Sequence, residues 1–162
     1  MALTGRARAE ALASLEAARV AARDRVLGLN QPLDLGVLFT RPDLFAREAV
    51  DWVGIPGGGP TGYQLEILAA VPEHKRVAVR GPHGLGKTLL SSMLVLWFAV
   101  TREAAGIDWK IVTTSGSHYQ LGAYLWPEIH KWARRLRWDL LGMDPWRPDI
   151  ELLKRNIQLT HG

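Results

Sequence analysis

One stretch of the sequence has the residue types and the spacing needed to bind phosphate. It matches the pattern G-x-x-x-x-G-K-[ST], in which glycines permit tight turns and consecutive backbone N–H groups converge on phosphate oxygens. The matching residues are Gly81, Pro82, His83, Gly84, Leu85, Gly86, Lys87 and Thr88. The four fixed positions should coincide by chance in roughly one chain in a few hundred of this length. We therefore predict that residues 81–88 form a phosphate-binding loop, called the P-loop below.

Two side chains of the P-loop and one upstream glutamine have predicted roles at a bound nucleotide. Lys87 is the predicted catalytic residue, because its ammonium group would reach the β- and γ-phosphates, and the Thr88 hydroxyl is predicted to coordinate Mg²⁺. Gln64 precedes the P-loop, and an amide can pair with both N6 and N7 of adenine. The sequence therefore predicts ATP and Mg²⁺ as cofactors, with Gln64 either selecting adenine or lying as an ordinary surface residue.

The segments around the P-loop predict the elements that position it. The β-branched segment Arg76–Arg80 is predicted to be a strand, and Lys87–Thr101 a helix that is apolar nearly all round and therefore buried. Trp109–Thr114 is predicted as a second strand and Ser117–Arg137 as a long amphipathic helix that Pro127 can kink. A strand, a buried helix, a strand and a helix in this order predict an α/β fold, a parallel sheet flanked by helices.

The chain divides by composition near residue 62. Residues 1–62 are predicted to form an N-terminal helical arm over residues 1–27 and an irregular connector with one short helix around Asp43–Trp52. Residues 63–162 are predicted to form a partial P-loop ATPase domain, which begins with a short helix over Tyr63–Ala70 and ends with a further strand beginning at Asn156–Thr160.

Composition and charge limit the other possibilities. The 162 residues are 48% hydrophobic and 22% charged, which is typical of a globular domain. The absence of cysteine excludes a disulfide framework, a thiolate zinc site and a cysteine nucleophile, and the five histidines lack metal-ligand spacing. The net charge of +4 permits a polyanionic partner. The longest apolar run is far below the roughly 20 residues that span a bilayer, so we expect a cytoplasmic protein.

Four stretches of the sequence together resemble the ATPase motor of phage terminase large subunits. The stretches are Tyr63–Leu68 (YQLEIL), Arg76–Thr88 (RVAVRGPHGLGKT), Ile111–Ser115 (IVTTS) with Gln120, and Leu125–Lys131 (LWPEIHK). Trp97 within the helix after the P-loop also resembles that family. The P-loop is shared by many families, and the resemblance to terminases comes from the combination and the order of all four stretches.

The resemblance implies a function and a set of partners. It implies that Gln64 contacts adenine, that Gly81–Thr88 binds the phosphates of ATP, that a coupling segment begins near Ser115, and that Arg80 lies near the phosphates. It further implies that ATP hydrolysis drives the packaging of viral double-stranded DNA by an oligomeric motor, together with a small terminase subunit and a portal. The expected location is then the cytoplasm of the host cell.

The sequence also departs from that family. The motor needs an apolar strand that ends in Asp-Glu, and Asp149-Ile150-Glu151 instead follows Pro148. The nuclease domain of terminases is also absent from these 162 residues, so we expect only the first part of the ATPase domain, with weak ATP binding and negligible hydrolysis. The alternatives are a fragment of a superfamily-2-type helicase or of another P-loop NTPase, and a nucleotide-binding remnant without turnover.

A basic cluster on the predicted long helix has two interpretations. It alternates with tryptophans and comprises Lys131, Arg134, Arg135 and Arg137. These side chains either contact DNA phosphates or form a solvated face over a tryptophan core.

Overall fold

The computed structural model describes residues 31–153, 156–157 and 159, without the side chain of His118. Leu33–Gly162 form one compact unit, and all elements below belong to it. The predicted helix over residues 1–27 lies outside the described residues.

Helices form most of the regular structure of the described residues. The helices are α1 (Leu35–Leu38), α2 (Pro42–Glu48), α3 (Gly62–Glu73), α4 (Lys87–Ala104), α5 (His118–Gln120), a π-helix (Leu121–Leu125), α6 (Trp126–Ala133) and α7 (Trp138–Leu141). Strands β1 (Leu152–Leu153) and β2 (Asn156–Ile157) form a two-stranded antiparallel sheet in which Leu152 lies opposite Ile157.

The predicted α/β fold with a parallel sheet flanked by helices is wrong for the described residues, where β1 and β2 form the only sheet. Neither Arg76–Arg80 nor Trp109–Thr114 is a strand. All five residues of Arg76–Arg80 are exposed, and no backbone hydrogen bond joins them to another described residue. A β-branched run favours a strand, but a strand also requires a neighbour that supplies ladder hydrogen bonds. The described chain supplies no such neighbour to either segment.

The buried helix predicted after the P-loop is confirmed. It was predicted over Lys87–Thr101, and α4 spans Lys87–Ala104. Helix α4 lies at the centre of the unit, where it contacts α1, α2, α3, the π-helix and α6. An apolar surface all round α4 therefore matches a helix that has packed neighbours on most sides.

The predicted long helix over Ser117–Arg137 is interrupted in the structure. Its helical residues are α5, the π-helix and α6, and α6 ends at Ala133. The backbone N–H of Trp126 donates to Leu121 O, the wider hydrogen bond of a π-turn. Pro127 follows directly, and proline removes one helical N–H and clashes with the preceding turn in regular α-helix. The chain therefore forms a wider π-turn directly before Pro127, the residue at which the sequence predicts a kink.

Residues before α3 contribute more to the core than an irregular connector would. The helix predicted around Asp43–Trp52 is present as α2, and its residues Phe45 and Ala46 are fully buried. The indole N–H of Trp97 in α4 donates to Leu38 O at 2.6 Å, and Trp97 is buried as predicted for a core residue. Helices α1 and α2 thus pack directly against α4. None of the described helices is long and apolar enough to span a membrane.

Arg102 joins α4 to the turn that follows α1. Its guanidinium lies 4.0 Å from the ring centre of Phe39 and 4.5 Å from that of Trp97, and Nη1 donates to Phe39 O at 3.2 Å. Burial lowers the pKa of Arg102 from its ordinary value, and the aromatic faces compensate the charge. This half-buried cation thus packs against aromatic rings at the edge of the core.

We expect purified protein to self-associate through residues 76–80, because no described residue pairs with their backbone groups and their valines are exposed. Val77→Lys should lower the fraction of associated protein in sedimentation velocity, since a charge in an unpaired, β-branched segment opposes its pairing with a second chain. The control is Val53→Lys, because Val53 is also an exposed valine and lies outside this segment. Its side chain is 59% exposed, against 39% for Val77. A monodisperse wild-type monomer, or equal effects of both variants, would contradict this expectation.

Candidate functional site

The P-loop leads directly into the N-terminus of α4 through two glycines in left-handed conformations. Gly84 has φ 86° and Gly86 has φ 73°, and Gly86 is the residue that caps α4. Residues other than glycine rarely adopt this backbone conformation. The first N–H groups of the 18-residue α4 have no partner within the helix, and its N-terminal end carries partial positive charge. The local backbone therefore favours an anion at the P-loop.

Lys87 lies folded back over the P-loop. Its Nζ donates to Gly81 O at 2.8 Å and to Pro82 O at 2.6 Å. Lys87 is half-buried, whereas Thr88 beside it is exposed. A lysine ammonium group has three donors, so these two bonds leave one donor for a phosphate oxygen.

The far side of the P-loop is held by the first turn of α3. Gln64 is 6% exposed; its Oε1 accepts from the Thr61 N–H at 2.9 Å, and its Nε2 donates to Leu85 O at 3.2 Å. The Tyr63 hydroxyl donates to the same carbonyl of Leu85. A Cβ at Gly86 would lie 2.5 Å from Gln64 Nε2, so any other residue would displace the Gln64 amide from its present position.

Gln64 is thus a buried residue and not the ordinary surface glutamine of the alternative interpretation. Its Nε2 also lies 3.3 Å from the Tyr63 hydroxyl, so both the acceptor and the donors of its amide have partners within the chain. Contact between Gln64 and adenine stays a prediction. The structure places the amide against the P-loop backbone.

An open cavity of about 650 Å³ lies beside the P-loop and brings two parts of the chain together. One wall comes from the P-loop and α4, and the other from residues 114–125. Its lining residues are His83, Lys87, Thr88, Ser91, Thr114, Ser115, Gln120, Leu121, Tyr124 and Leu125. Lys87, Thr88 and the predicted coupling segment at Ser115 therefore face the same space.

No carboxylate is among the described residues that line this cavity, and Lys87 supplies positive charge. Such a lining is compatible with a bound polyanion, since like-charge repulsion from an acid is avoided. A second groove of about 440 Å³ is lined by Gly86, Thr88, Glu128 and Lys131, among others. Glu128 is already engaged there, because it accepts from the Trp132 indole at 2.6 Å and from Lys131 at 3.3 Å.

The residue at the site that fits Mg²⁺ arriving with bound phosphates is Thr88. Thr88 lines both the cavity and the groove and carries an exposed hydroxyl. Within the part of the chain that the structure describes, no group of three or more His, Cys, Asp or Glu residues could hold a metal. Mg²⁺ commonly keeps several waters and uses few protein ligands together with substrate phosphates.

The structure also positions residues that the motif did not single out. Tyr63, Ser91 and Tyr124 belong to the P-loop contacts or to the cavity wall, although no spacing rule identifies them. Tyr63 could have been noticed only as the neighbour of Gln64. Arg80 is exposed directly before the P-loop, with no hydrogen bond or ion pair to another described residue.

The tryptophans beside the basic cluster lie in the core, as the interpretation of a solvated basic face over a tryptophan core predicts. Trp132 and Trp138 are buried, which confirms the tryptophan core, whereas Lys131 and Arg134 are exposed. Arg135 donates to the backbone oxygens of Asp51 and Val53. A DNA contact by the exposed cations stays a prediction.

Comparison of the chain with protein-family models, with curated proteins and with solved structures finds no match in any of the three.

The two left-handed glycines allow a matched test of the close approach at Gly86. Gly84→Ala meets open space and should reduce the free energy of unfolding by about 1 kcal/mol through backbone strain alone. Gly86→Ala has the same strain and also displaces the Gln64 amide, so its loss should be clearly larger. Urea unfolding of both variants measures the difference, and equal losses would show that the Gln64 amide can leave its contacts at Gly86 without a cost in stability.

Proposed function

We propose that this chain binds Mg-ATP with its phosphates in the P-loop and is the ATP-binding part of a terminase-like motor that packages double-stranded DNA. The observation that carries the proposal is the convergence of the left-handed P-loop turns, the N-terminus of α4, Lys87 and Thr88 on one open cavity. This convergence follows from the loop and α4, and it does not depend on a parallel sheet.

The chemistry of binding follows from donors that are already in place. Backbone N–H groups at the start of α4 and the third donor of Lys87 are available to phosphate oxygens. Thr88 supplies a hydroxyl to Mg²⁺ at the same edge. When bound, Mg²⁺ neutralises charge on the β- and γ-phosphates. The chain itself therefore orients the triphosphate and shields its charge.

Hydrolysis needs a further group that orients the attacking water. None of the described residues that line the cavity is an acid, and Glu128 in the adjoining groove is held by Trp132 and Lys131. We therefore propose binding as the activity of these 162 residues. The same observation favours a second candidate function, a nucleotide-binding remnant without turnover.

The terminase-like part of the proposal rests on the four resembling stretches. Residues from three of them line one cavity: Arg76–Thr88, Ile111–Ser115 with Gln120, and Leu125–Lys131 through Leu125. The partners proposed on this basis are double-stranded DNA, a small terminase subunit and a portal, within an oligomeric motor in the host cytoplasm. Exposed Lys131 and Arg134 are candidates for DNA-backbone contacts. A superfamily-2-type helicase is the alternative that shares the same ATP site.

Lys87→Ala should weaken Mg-ATP binding about ten- to hundred-fold, because a charge-assisted hydrogen bond contributes about 1.5–3 kcal/mol. Isothermal titration calorimetry measures the two affinities. Lys75→Ala is the matched control, since Lys75 is an exposed lysine outside the cavity lining. Equal affinity in wild type and Lys87→Ala would refute phosphate binding in the P-loop.

Purified wild-type protein should hydrolyse ATP far below the roughly 1 s⁻¹ at which slow kinases operate. The reason is the lack of a carboxylate among the described residues that line the cavity. A steady-state phosphate-release assay measures the rate, with Lys87→Ala as the background control. Turnover at an ordinary enzymatic rate that Lys87→Ala abolishes would contradict this account and would direct attention to Glu128.

A further inference from the structure

We propose that Tyr63 and Gln64 are positioning residues that hold the P-loop in its phosphate-binding shape through the carbonyl of Leu85. The proposal deepens the proposed function and rests on it, because it concerns the triphosphate part of the same ligand. It assigns Gln64 to the P-loop backbone instead of to the adenine base, and it adds Tyr63 to the site.

Two polar side chains donate to one backbone oxygen, that of Leu85. The Tyr63 hydroxyl and Gln64 Nε2 both donate to Leu85 O, and Gln64 Nε2 also lies 3.3 Å from the Tyr63 hydroxyl oxygen. A carbonyl oxygen has two lone pairs, so Leu85 O is fully satisfied by this pair of donors. We call Tyr63, Gln64 and Leu85 O the carbonyl clamp.

The carbonyl clamp acts on the part of the P-loop whose conformation matters for phosphate. Leu85 lies between Gly84 and Gly86, both of which have left-handed φ values. Its peptide unit therefore sets the direction of the next N–H groups, which begin α4 beside Lys87. The Leu85 side chain also approaches Gly81, where a Cβ would come within 2.6 Å of Cδ1. Holding Leu85 O therefore restrains the turn that leads into α4.

The geometry of Gln64 favours this role over base recognition. Its Oε1 is used by the Thr61 N–H at the start of α3, its Nε2 is used at the clamp, and the side chain is buried. Pairing with adenine would require the amide to give up partners on both its oxygen and its nitrogen. Gln64 is also not among the residues that line the large cavity beside Lys87.

The two roles of Gln64 differ in which ligand they affect. A residue that reads adenine changes the affinity for ATP relative to GTP and does not affect inorganic tripolyphosphate. A residue that holds the P-loop changes the affinity for all three by a similar factor, because they share the phosphates. Tyr63→Phe tests the clamp most gently, since it keeps the ring and removes only the hydroxyl, which donates to Leu85 O and accepts from Gln64 Nε2.

The experiment is calorimetric titration of Tyr63→Phe, Gln64→Ala and wild type with the magnesium complexes of ATP, GTP and tripolyphosphate. We expect Tyr63→Phe to weaken all three by a common factor of roughly three to ten, the size of one hydrogen bond. Gln64→Ala should weaken all three by a common factor of at least that size. The control is Tyr119→Phe, whose hydroxyl is exposed and lies outside the cavity lining; it should match wild type.

A second measurement tests the clamp without any ligand. The ¹³C carbonyl resonance of Leu85 should move upfield in Tyr63→Phe and in Gln64→Ala, because each variant removes a donor, and should stay in place in Tyr119→Phe. If wild type binds none of the three ligands, the proposed function fails while this resonance still decides the clamp. The clamp is refuted by an unmoved resonance, by unchanged tripolyphosphate affinity in Tyr63→Phe, or by a loss in Gln64→Ala that is confined to ATP.

Discussion

The candidate site depends on the backbone turn at Leu85 and Gly86. Gly86 is left-handed, and the Gln64 amide occupies the space that a Cβ at Gly86 would take. This contact joins α3 to the P-loop and sets the point at which α4 begins. Since Lys87 and Thr88 are the first two residues of α4, their placement on the cavity follows from the same turn.

Helix α4 transmits that constraint to the core. It packs against most other helices of the unit, and its Trp97 and Arg102 bind the carbonyls of Leu38 and Phe39 at the end of α1. The P-loop is therefore attached to a rigid, buried helix on one side and to α3 on the other. The opposite wall, residues 114–125, includes a π-helix and is more exposed, with Tyr124 60% exposed. The cavity thus has one firmly held wall and one more open wall.

Local features of the sequence predicted helix α4 correctly, whereas the predicted parallel sheet is wrong. The P-loop and α4 depend on glycine conformation and on an apolar run, which are readable from neighbouring residues. Strands depend on partners that are distant in sequence, and Arg76–Arg80 has the composition of a strand but no described neighbour to pair with. The prolines and glycines near Phe45 and Ala46 suggested an irregular connector, so the sequence did not indicate that these two residues belong to the core. The amide of Gln64 suggested hydrogen bonding to the adenine ring, and only the three-dimensional contacts reveal its partners Thr61 and Leu85.

The central claim is that a triphosphate binds in the P-loop, and the most direct measurement is the response of individual backbone amides. Mg-tripolyphosphate titrated into ¹⁵N-labelled protein should produce its largest chemical-shift changes at Gly84, Gly86, Lys87 and Thr88, because these N–H groups lie in or directly after the loop turn. The backbone amides of β1 and α7, whose residues do not line the cavity, should show only small chemical-shift changes. Absence of saturable shifts at Gly84–Thr88, or larger shifts elsewhere, would contradict the account.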